Sequence, residues 1–248
     1  KGLAGIRIYR SAPPGTDFFR DVARSLPLFS ADVVFDVGAN LGQSAKEYVS
    51  KFPKAHIYSF EPASETFHRL RDNVKDFPRV KCFCMALGST EETGELVLEG
   101  TSNMFFVRAQ SIEKPADSEV ATEQIAIARL DEFCATKGVS HIDFLKVDTE
   151  GADLEVLKGA DKMLTAQKID LVQVEAGMNA GNTRHVSFEV LKAFLESHEY
   201  FVFRLYEQIN EWPTKEPHLR GVNAVFVSRE MIEKHKMQTA MDLPAGFA

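Results

Sequence analysis

In Val33-Val34-Phe35-Asp36-Val37-Gly38-Ala39-Asn40-Leu41-Gly42-Gln43 an apolar run ends in an acid, then a glycine-bearing turn, then residues able to start a helix. That order is the sequence form of a buried parallel strand delivering a ligand to a helix N-terminus. A second apolar run, Ala55-His56-Ile57-Tyr58-Ser59-Phe60, follows and ends in Glu61-Pro62. An acid at the tip of the second strand, beside a glycine turn at the tip of the first, is how an α/β fold holds a ribose.

Working outward, periodicity predicts helices over 42–51 and 64–73, the latter with Phe67, Leu70 and Val74 on one face. A third strand is expected over 80–85, leading into Ala86-Leu87-Gly88. Upstream, Pro13-Pro14-Gly15 precedes a helix over 17–26 with Thr16 as its N-cap, read as a lid or packing helix. The middle is irregular: strands over 94–99 and 104–107 form a hairpin around Gly100–Asn103, the polar stretch 110–123 is a mobile excursion, and 125–128 is a short strand before a helix over 130–136. Regularity returns with a strand over 142–147, a helix over 154–164 broken near Gly159, and a strand over 169–174 ending in Glu175. A helix over 187–197 has Val190, Leu191, Phe194 and Leu195 as its apolar side, and strands follow over 200–205 and 223–227. Strands alternating with helices imply a parallel doubly wound sheet. No helix separates the last two strands, so an antiparallel pairing is expected there.

Composition bounds the possibilities. The 248 residues, 44% hydrophobic and 26% charged, suit a folded globular chain. A net charge of −7 argues against general nucleic-acid binding, which needs clustered Lys and Arg. Three cysteines without a C-x-x-C pattern point to reduced thiols and a cytoplasmic setting, and Lys1-Gly2-Leu3 shows no signal-peptide pattern. No apolar run approaches a membrane span. A homo-oligomer is compatible with the pattern, but nothing in it fixes the oligomeric state.

The first turn discriminates among nucleotides. A dinucleotide fold wants G-x-G-x-x-G, whereas here Asn40 stands between Gly38 and Gly42. Asp36 would repel a pyrophosphate but suits a cationic ligand. S-adenosylmethionine fits, with its sulfonium, amino-acid tail and ribose diol; the alternative for Asp36 and Glu61 is that they are solvated loop acids.

At this point the chain resembles the FkbM-type methyltransferases, which are class I, S-adenosylmethionine-dependent and mostly O-methylating. The carriers are FDVGANLGQ (Phe35–Gln43), SFEP (Ser59–Pro62), ALG (Ala86–Gly88) and DFLKVDTEG (Asp143–Gly151), with VLKGA (Val156–Ala160), Glu175 and NAVFVS (Asn223–Ser228) further on. The resemblance implies a Rossmann-like α/β fold, a seven-stranded mostly parallel sheet with an antiparallel last strand and helices on both faces. The division that goes with it is a helical extension over 1–30 and a methyltransferase domain over 31–248 with an insertion around 94–128. By position, Asp36, Gly38, Asn40, Gly42 and Gln43 are expected along the methionyl part of the cofactor. Glu61 takes the ribose, Pro62 the wall, and Met85 and Ala86 the adenine.

Methyl transfer is an in-line displacement that needs an aligned acceptor oxygen and one managed proton. Lys146, Asp148 and Glu150 form an i, i+2, i+4 set that shares one face if extended. Asp148 is the first choice as base, orienter or metal ligand, with Glu150 and Glu175 next. Lys146 would be a partner keeping them ionised. Three converging acids could also hold Mg²⁺ or Ca²⁺, although no ligand loop of fixed spacing demands it. The acceptor's walls are expected in Ser102-Asn103, 179–185 and 206–223, where His185, Trp212 and Arg220 stand out. The leading expectation is O-methylation of a sugar, glycan or polyketide-like hydroxyl. Rivals are N- or carboxyl-methylation of another metabolite, an NAD-binding oxidoreductase, and a non-catalytic module on the same fold.

Overall fold

Val33–Val37 (β1) is apolar on both sides because both faces of its sheet are covered. Phe35 and Val37 pack with Tyr58, Phe60, Leu145 and Val147 on one face, and Val34 packs with Ile57, Phe144 and Leu171 on the other. The computed structural model describes residues 13–99, 103–107 and 121–242. In chain order the elements are α1 (Phe18–Ser25), β1, α2 (Gln43–Lys51), β2 (His56–Phe60), α3 (Ser64–Val74), β3 (Val80–Phe83), β4 (Ala86–Leu87), β5 (Glu92–Glu99), β6 (Asn103–Val107) and β7 (Thr122–Ala128). There follow α4 (Leu130–Lys137), β8 (Ile142–Val147), α5 (Asp153–Gly159), α6 (Asp161–Thr165), β9 (Ile169–Gly177), α7 (Phe188–Ser197), β10 (Tyr200–Asn210), β11 (Leu219–Ser228) and α8 (Arg229–Asp242).

The main sheet runs β10-β11-β9-β8-β1-β2-β3. β1 pairs in parallel with both β2 and β8, and β11 runs antiparallel to both its neighbours. The order reverses at β1, so the crevice beyond the carboxyl ends of β1 and β8 is the place for a ligand. A second sheet, β4-β7-β5-β6, stands beside it and contains the hairpin expected over 94–107, its first strand starting earlier at Glu92. Among the described residues no helix is long and apolar enough to cross a membrane.

Several local expectations are corrected. The cap of α1 is Asp17, which accepts from Arg20 N at 3.1 Å, whereas the Thr16 hydroxyl turns back to Pro13 O. Val22 and Leu26 bury against the β1–β8 face and Phe18 stacks on Phe144 at 4.8 Å, so α1 is a packing helix. The third strand does not reach Met85; the chain leaves β3 at Phe83 and Ala86-Leu87 joins the second sheet. On α7, Leu191 and Leu195 are buried but Val190 is 45% exposed. Most of the 206–222 loop is strand, because β10 and β11 continue as a hairpin; register shifts after Val202 and Tyr206 break the alternation that would have betrayed it. Ser102 and most of the 110–123 excursion lie outside the described residues.

Candidate active site

At the carboxyl ends of β1, β2 and β8 lies a cavity of about 330 Å³, within the size range of small-ligand sites. Its lining includes Gly38, Asn40, Gln43, Glu61, Pro62, Met85, Ala86, Lys146, Asp148 and Glu150. Ten expected residues therefore share one space although four separate segments supply them.

The Glu61 side of the cavity is fixed by backbone. Gly38 N and Ala39 N both donate to Phe60 O, at 3.0 and 2.9 Å, which ties the first turn to the end of β2. Asn40, held at φ 47, points its amide at Glu61 Oε2 (3.0 Å), and Ala63 N donates to Oε1 at 3.0 Å. Glu61 is thus a buried carboxylate with each oxygen pinned by one amide and lone pairs left to accept from a diol. Burial pushes its pKa up, and the two amide bonds oppose that rise. An immobilised acceptor pair and a wall of Pro62, Met85, Ala86 and Leu96 suit an adenosine, so these residues fit S-adenosylmethionine.

Asp36 and Gly42 were expected along the cofactor, and neither lines this cavity. Asp36 is 0% exposed and points into the sheet face beneath the cavity, opposite Lys146 in the β1–β8 register. Among the described residues neither of its oxygens accepts a hydrogen bond, and Lys146 Nζ at 3.5 Å supplies the compensating charge. Gly42 instead starts α2 at φ 85, where a Cβ would lie 2.8 Å from Leu70 and 3.0 Å from Val74; it is a packing position.

The Lys146–Asp148 side of the cavity is a ladder of alternating charge. Lys146 Nζ sits 3.0 Å from Asp148 Oδ2 as well as 3.5 Å from Asp36. Burial alone would lower the Lys146 pKa, but the two carboxylates more than offset it and hold the ammonium charged. Burial works to raise Asp148, yet Lys146 and a hydrogen bond with Glu175 keep it below the usual carboxylate range. Glu150 leaves the expected shared face, because β8 ends at Val147 and the chain turns with Glu150 at φ 57. It meets Arg184 Nε at 2.5 Å and His185 Nε2 at 3.2 Å. Glu175 stands outside the cavity lining, bonded to His185 Nε2 at 3.2 Å on one side and to Asp148 on the other. Burial raises the Glu175 pKa.

The three expected acids do not form one set: Glu150 and Glu175 converge with His185 instead of with Asp148. Glu150, Glu175 and His185 bring one ligand atom each to within 4.8 Å of one another, and Asp148 belongs to Lys146. The sequence reading passed over Asp153. This fully buried carboxyl accepts from Thr149 Oγ1 at 2.7 Å and from Glu175 N at 3.4 Å, joining the tips of β8 and β9. Burial, reinforced by the charges of Asp148 and Glu175, pushes it up to about 7. An acid in the first turn of a helix looks like ordinary dipole compensation, so only its burial distinguishes it.

His185 carries a pH prediction. Burial works to lower its pKa, but Glu150 and Glu175 outweigh burial and raise it from 6.5 to about 9. The native pKa lies above the unfolded one, so the bridge contributes fully below pH 6.5 and is lost as pH rises through about 9. Imidazole NMR should show a midpoint near 9 that falls in Glu175→Gln. A wild-type midpoint near 6.5 would remove the bridge from this account.

An open sheet with this order, its β11 reversed and an amide-pinned acid just after β2, is the class I methyltransferase arrangement. Residues 36–202 match the methyltransferase FkbM domain, and the chain belongs to that S-adenosylmethionine-dependent methyltransferase family. It is 26% identical over 148 residues to the 2-O-methyltransferase NoeI of Sinorhizobium fredii, covering 54% of this chain and 59% of NoeI. It is 30% identical over 148 residues to the hexuronic acid methyltransferase AglP of Haloferax volcanii, covering 60% of this chain and 58% of AglP. To the 31-O-demethyl-FK506 methyltransferase FkbM of Streptomyces tacrolimicus it is 27% identical over 157 residues, 52% of this chain and 60% of that one. The matched region thus spans less than two thirds of each relative's length.

Proposed function

We propose that this chain transfers a methyl group from S-adenosylmethionine to a hydroxyl oxygen of a sugar or glycan. One observation carries the reading: the amide-pinned carboxylate of Glu61 and the lysine-paired carboxylate of Asp148 line the same cavity from opposite strands. The similarity to NoeI and to a hexuronic acid methyltransferase favours a sugar over other hydroxyls. Bound S-adenosylmethionine would supply a methyl group already activated on sulfonium sulfur.

The residues divide the remaining work. Glu61 accepts from the ribose hydroxyls, while Gly38, Asn40 and Gln43 line the methionyl end. Asp148, ionised beside Lys146, accepts the acceptor's O–H and aims its oxygen along the transfer line. A carboxylate held so low is a weak base. Asp148, the carboxylate that lines the cavity, therefore takes the acceptor's proton and passes it along their hydrogen bond to Glu175, ionised beside His185 until then and raised by burial. Lys146 and His185 already give these acids their positive partners, so no step here runs through a metal.

Calorimetry with S-adenosylmethionine, its demethylated product and NAD tests the cofactor half. Binding to the first two without NAD is expected, and tight NAD binding alone would sink the reading. Asp148→Asn should keep cofactor affinity within about threefold while lowering turnover on a pyranoside by roughly 10²–10⁴. Unchanged turnover would take Asp148 out of the mechanism. Transfer confined to amines or carboxylates would favour the N- or carboxyl-methylating alternative.

A further inference from the structure

We propose that Trp212, near the tip of the β10–β11 hairpin, is a stacking platform for a pyranose ring of the methyl acceptor, an inference that rests on the sugar-acceptor reading above. Trp212 is the chain's single tryptophan and is 70% exposed. Burial therefore does not account for it: the largest apolar ring in the sequence is held out in solvent instead of filling the core.

The backbone that carries it is anchored. The preceding residue, Glu211, is 5% exposed; its backbone amide donates to His218 O at 2.8 Å, and its carboxylate takes Arg220 Nη1 at 3.0 and 3.2 Å and Asn179 Nδ2 at 3.2 Å. A desolvated ion pair adds little net stability compared with an apolar pair, and its clearest effect is to fix geometry. Here it fixes the backbone beside the indole. The Arg220 guanidinium then lies 5.9 Å from the ring. An aromatic side chain on an anchored backbone has only two side-chain torsions to order on binding a ligand.

The position matches an acceptor's approach. Gly221 pairs with Gly177, the last residue of β9, so the hairpin runs on past the carboxyl end of β9, toward the side on which the cavity opens. Arg220 O accepts from Asn182 Nδ2 at 2.9 Å, Asn182 contacts the His185 ring, and His185 bridges to Glu150 in the cavity wall. A continuous polar chain thus joins platform and cavity. A pyranose has a flat C–H face that packs on an indole, while its hydroxyls would meet exposed groups such as Asn210 and Glu216 on the same hairpin.

Because Trp212 is the sole tryptophan, intrinsic fluorescence reads this site directly. Titrating the protein with methyl β-D-glucopyranoside and methyl β-D-glucuronide should give a saturable blue shift, with none from cyclohexanol. No shift with either sugar would overturn the platform. On a pyranoside that the enzyme methylates, Trp212→Ala should raise KM roughly five- to tenfold and leave kcat within about twofold, with Trp212→Phe in between. An unchanged KM would overturn the platform and leave the sugar-acceptor reading standing. Methyl transfer to non-sugar hydroxyls alone would overturn that reading and the platform with it. A blue shift that grows with protein concentration in the absence of sugar would assign the indole to contact between copies of the chain and overturn the proposal.

Discussion

Replacing Lys146 with methionine should destabilise the fold by about 3–5 kcal/mol at neutral pH, read as a lower midpoint in denaturant unfolding. The cost comes from Asp36. Its carboxylate is fully buried, accepts no hydrogen bond among the described residues, and has the Lys146 ammonium 3.5 Å away as its compensating charge. Burial already holds the Asp36 pKa above the usual range, with Lys146 restraining the rise, so removing the lysine drives it higher. An acid whose native pKa is raised binds its proton more tightly folded than unfolded. The folded variant therefore gains relative stability as pH falls, and its deficit against wild type should narrow in mildly acidic buffer. The double variant Asp36→Asn/Lys146→Met should recover most of the loss, because the one acid then left without its lysine, Asp148, has a partly exposed side chain. A single variant as stable as wild type, or a double variant no better than the single, would show that this pair does not carry the energy assigned to it. Asp148 should respond as well: without its lysine it loses its hold on the ionised form, so turnover falls by a larger factor than the stability change explains.

The sheet was largely legible in the sequence because its strands are buried on both faces. Val33–Val37, His56–Phe60 and Ile142–Val147 are mostly apolar runs whose ends coincide with turn signals; the second and third fell where the structure has them, and the first, expected over 32–37, starts one residue later. What failed was whatever depends on direction and not on identity. Asp36 was expected along the cofactor and Lys146 beside the Asp148 acids; only the parallel register puts the two directly opposite each other. The i, i+2, i+4 reading of Lys146, Asp148 and Glu150 held for its first two members and broke at the third, where a positive φ turns Glu150 toward Arg184 and His185. The β10–β11 extension was hidden by bulges, which shift the alternation and make strand look like loop. Asp153 could not be found at all: its role depends on contacts with Thr149 and Glu175, one of them distant in sequence.

The same distinction bears on how the site is stabilised. Its acids are not presented singly to solvent but in series, Asp36–Lys146–Asp148–Glu175–His185–Glu150–Arg184, each negative group next to a positive one except at the Asp148–Glu175 contact. That exception is where two carboxyls share a hydrogen bond and their pKa values are driven apart, Asp148 down and Glu175 up. Divergent titration of neighbouring acids is how one member becomes the fixed charge and the other the proton acceptor.

Gly38→Ala should have the second large effect, and it acts on the cofactor half of the site. Gly38 adopts φ 79, and a Cβ there would lie 1.8 Å from the Asp148 carbonyl oxygen and 2.8 Å from its carbon. Neither atom can yield cheaply, because Asp148 N donates to Val37 O at 3.0 Å and Gly38 N donates to Phe60 O at 3.0 Å. Relieving the clash means separating the ends of β1 and β8, which also moves Asn40 off Glu61 and Asp148 off Lys146. The positive φ costs an alanine about 1 kcal/mol and the overpacking about 1–3 more, so a loss of roughly 2–4 kcal/mol in stability is expected. Cofactor affinity should fall further than stability, by on the order of 100-fold in calorimetry, since the amide that pins Glu61 depends on this turn. Asn40→Ala separates the two effects. It keeps the Asn40 amide but places an ordinary residue at φ 47, so it should cost about 1 kcal/mol of stability and leave the β1–β8 approach intact. If Gly38→Ala bound S-adenosylmethionine as tightly as wild type, the closeness of the two strand ends would be incidental to the site, and the turn's glycine would serve the fold alone.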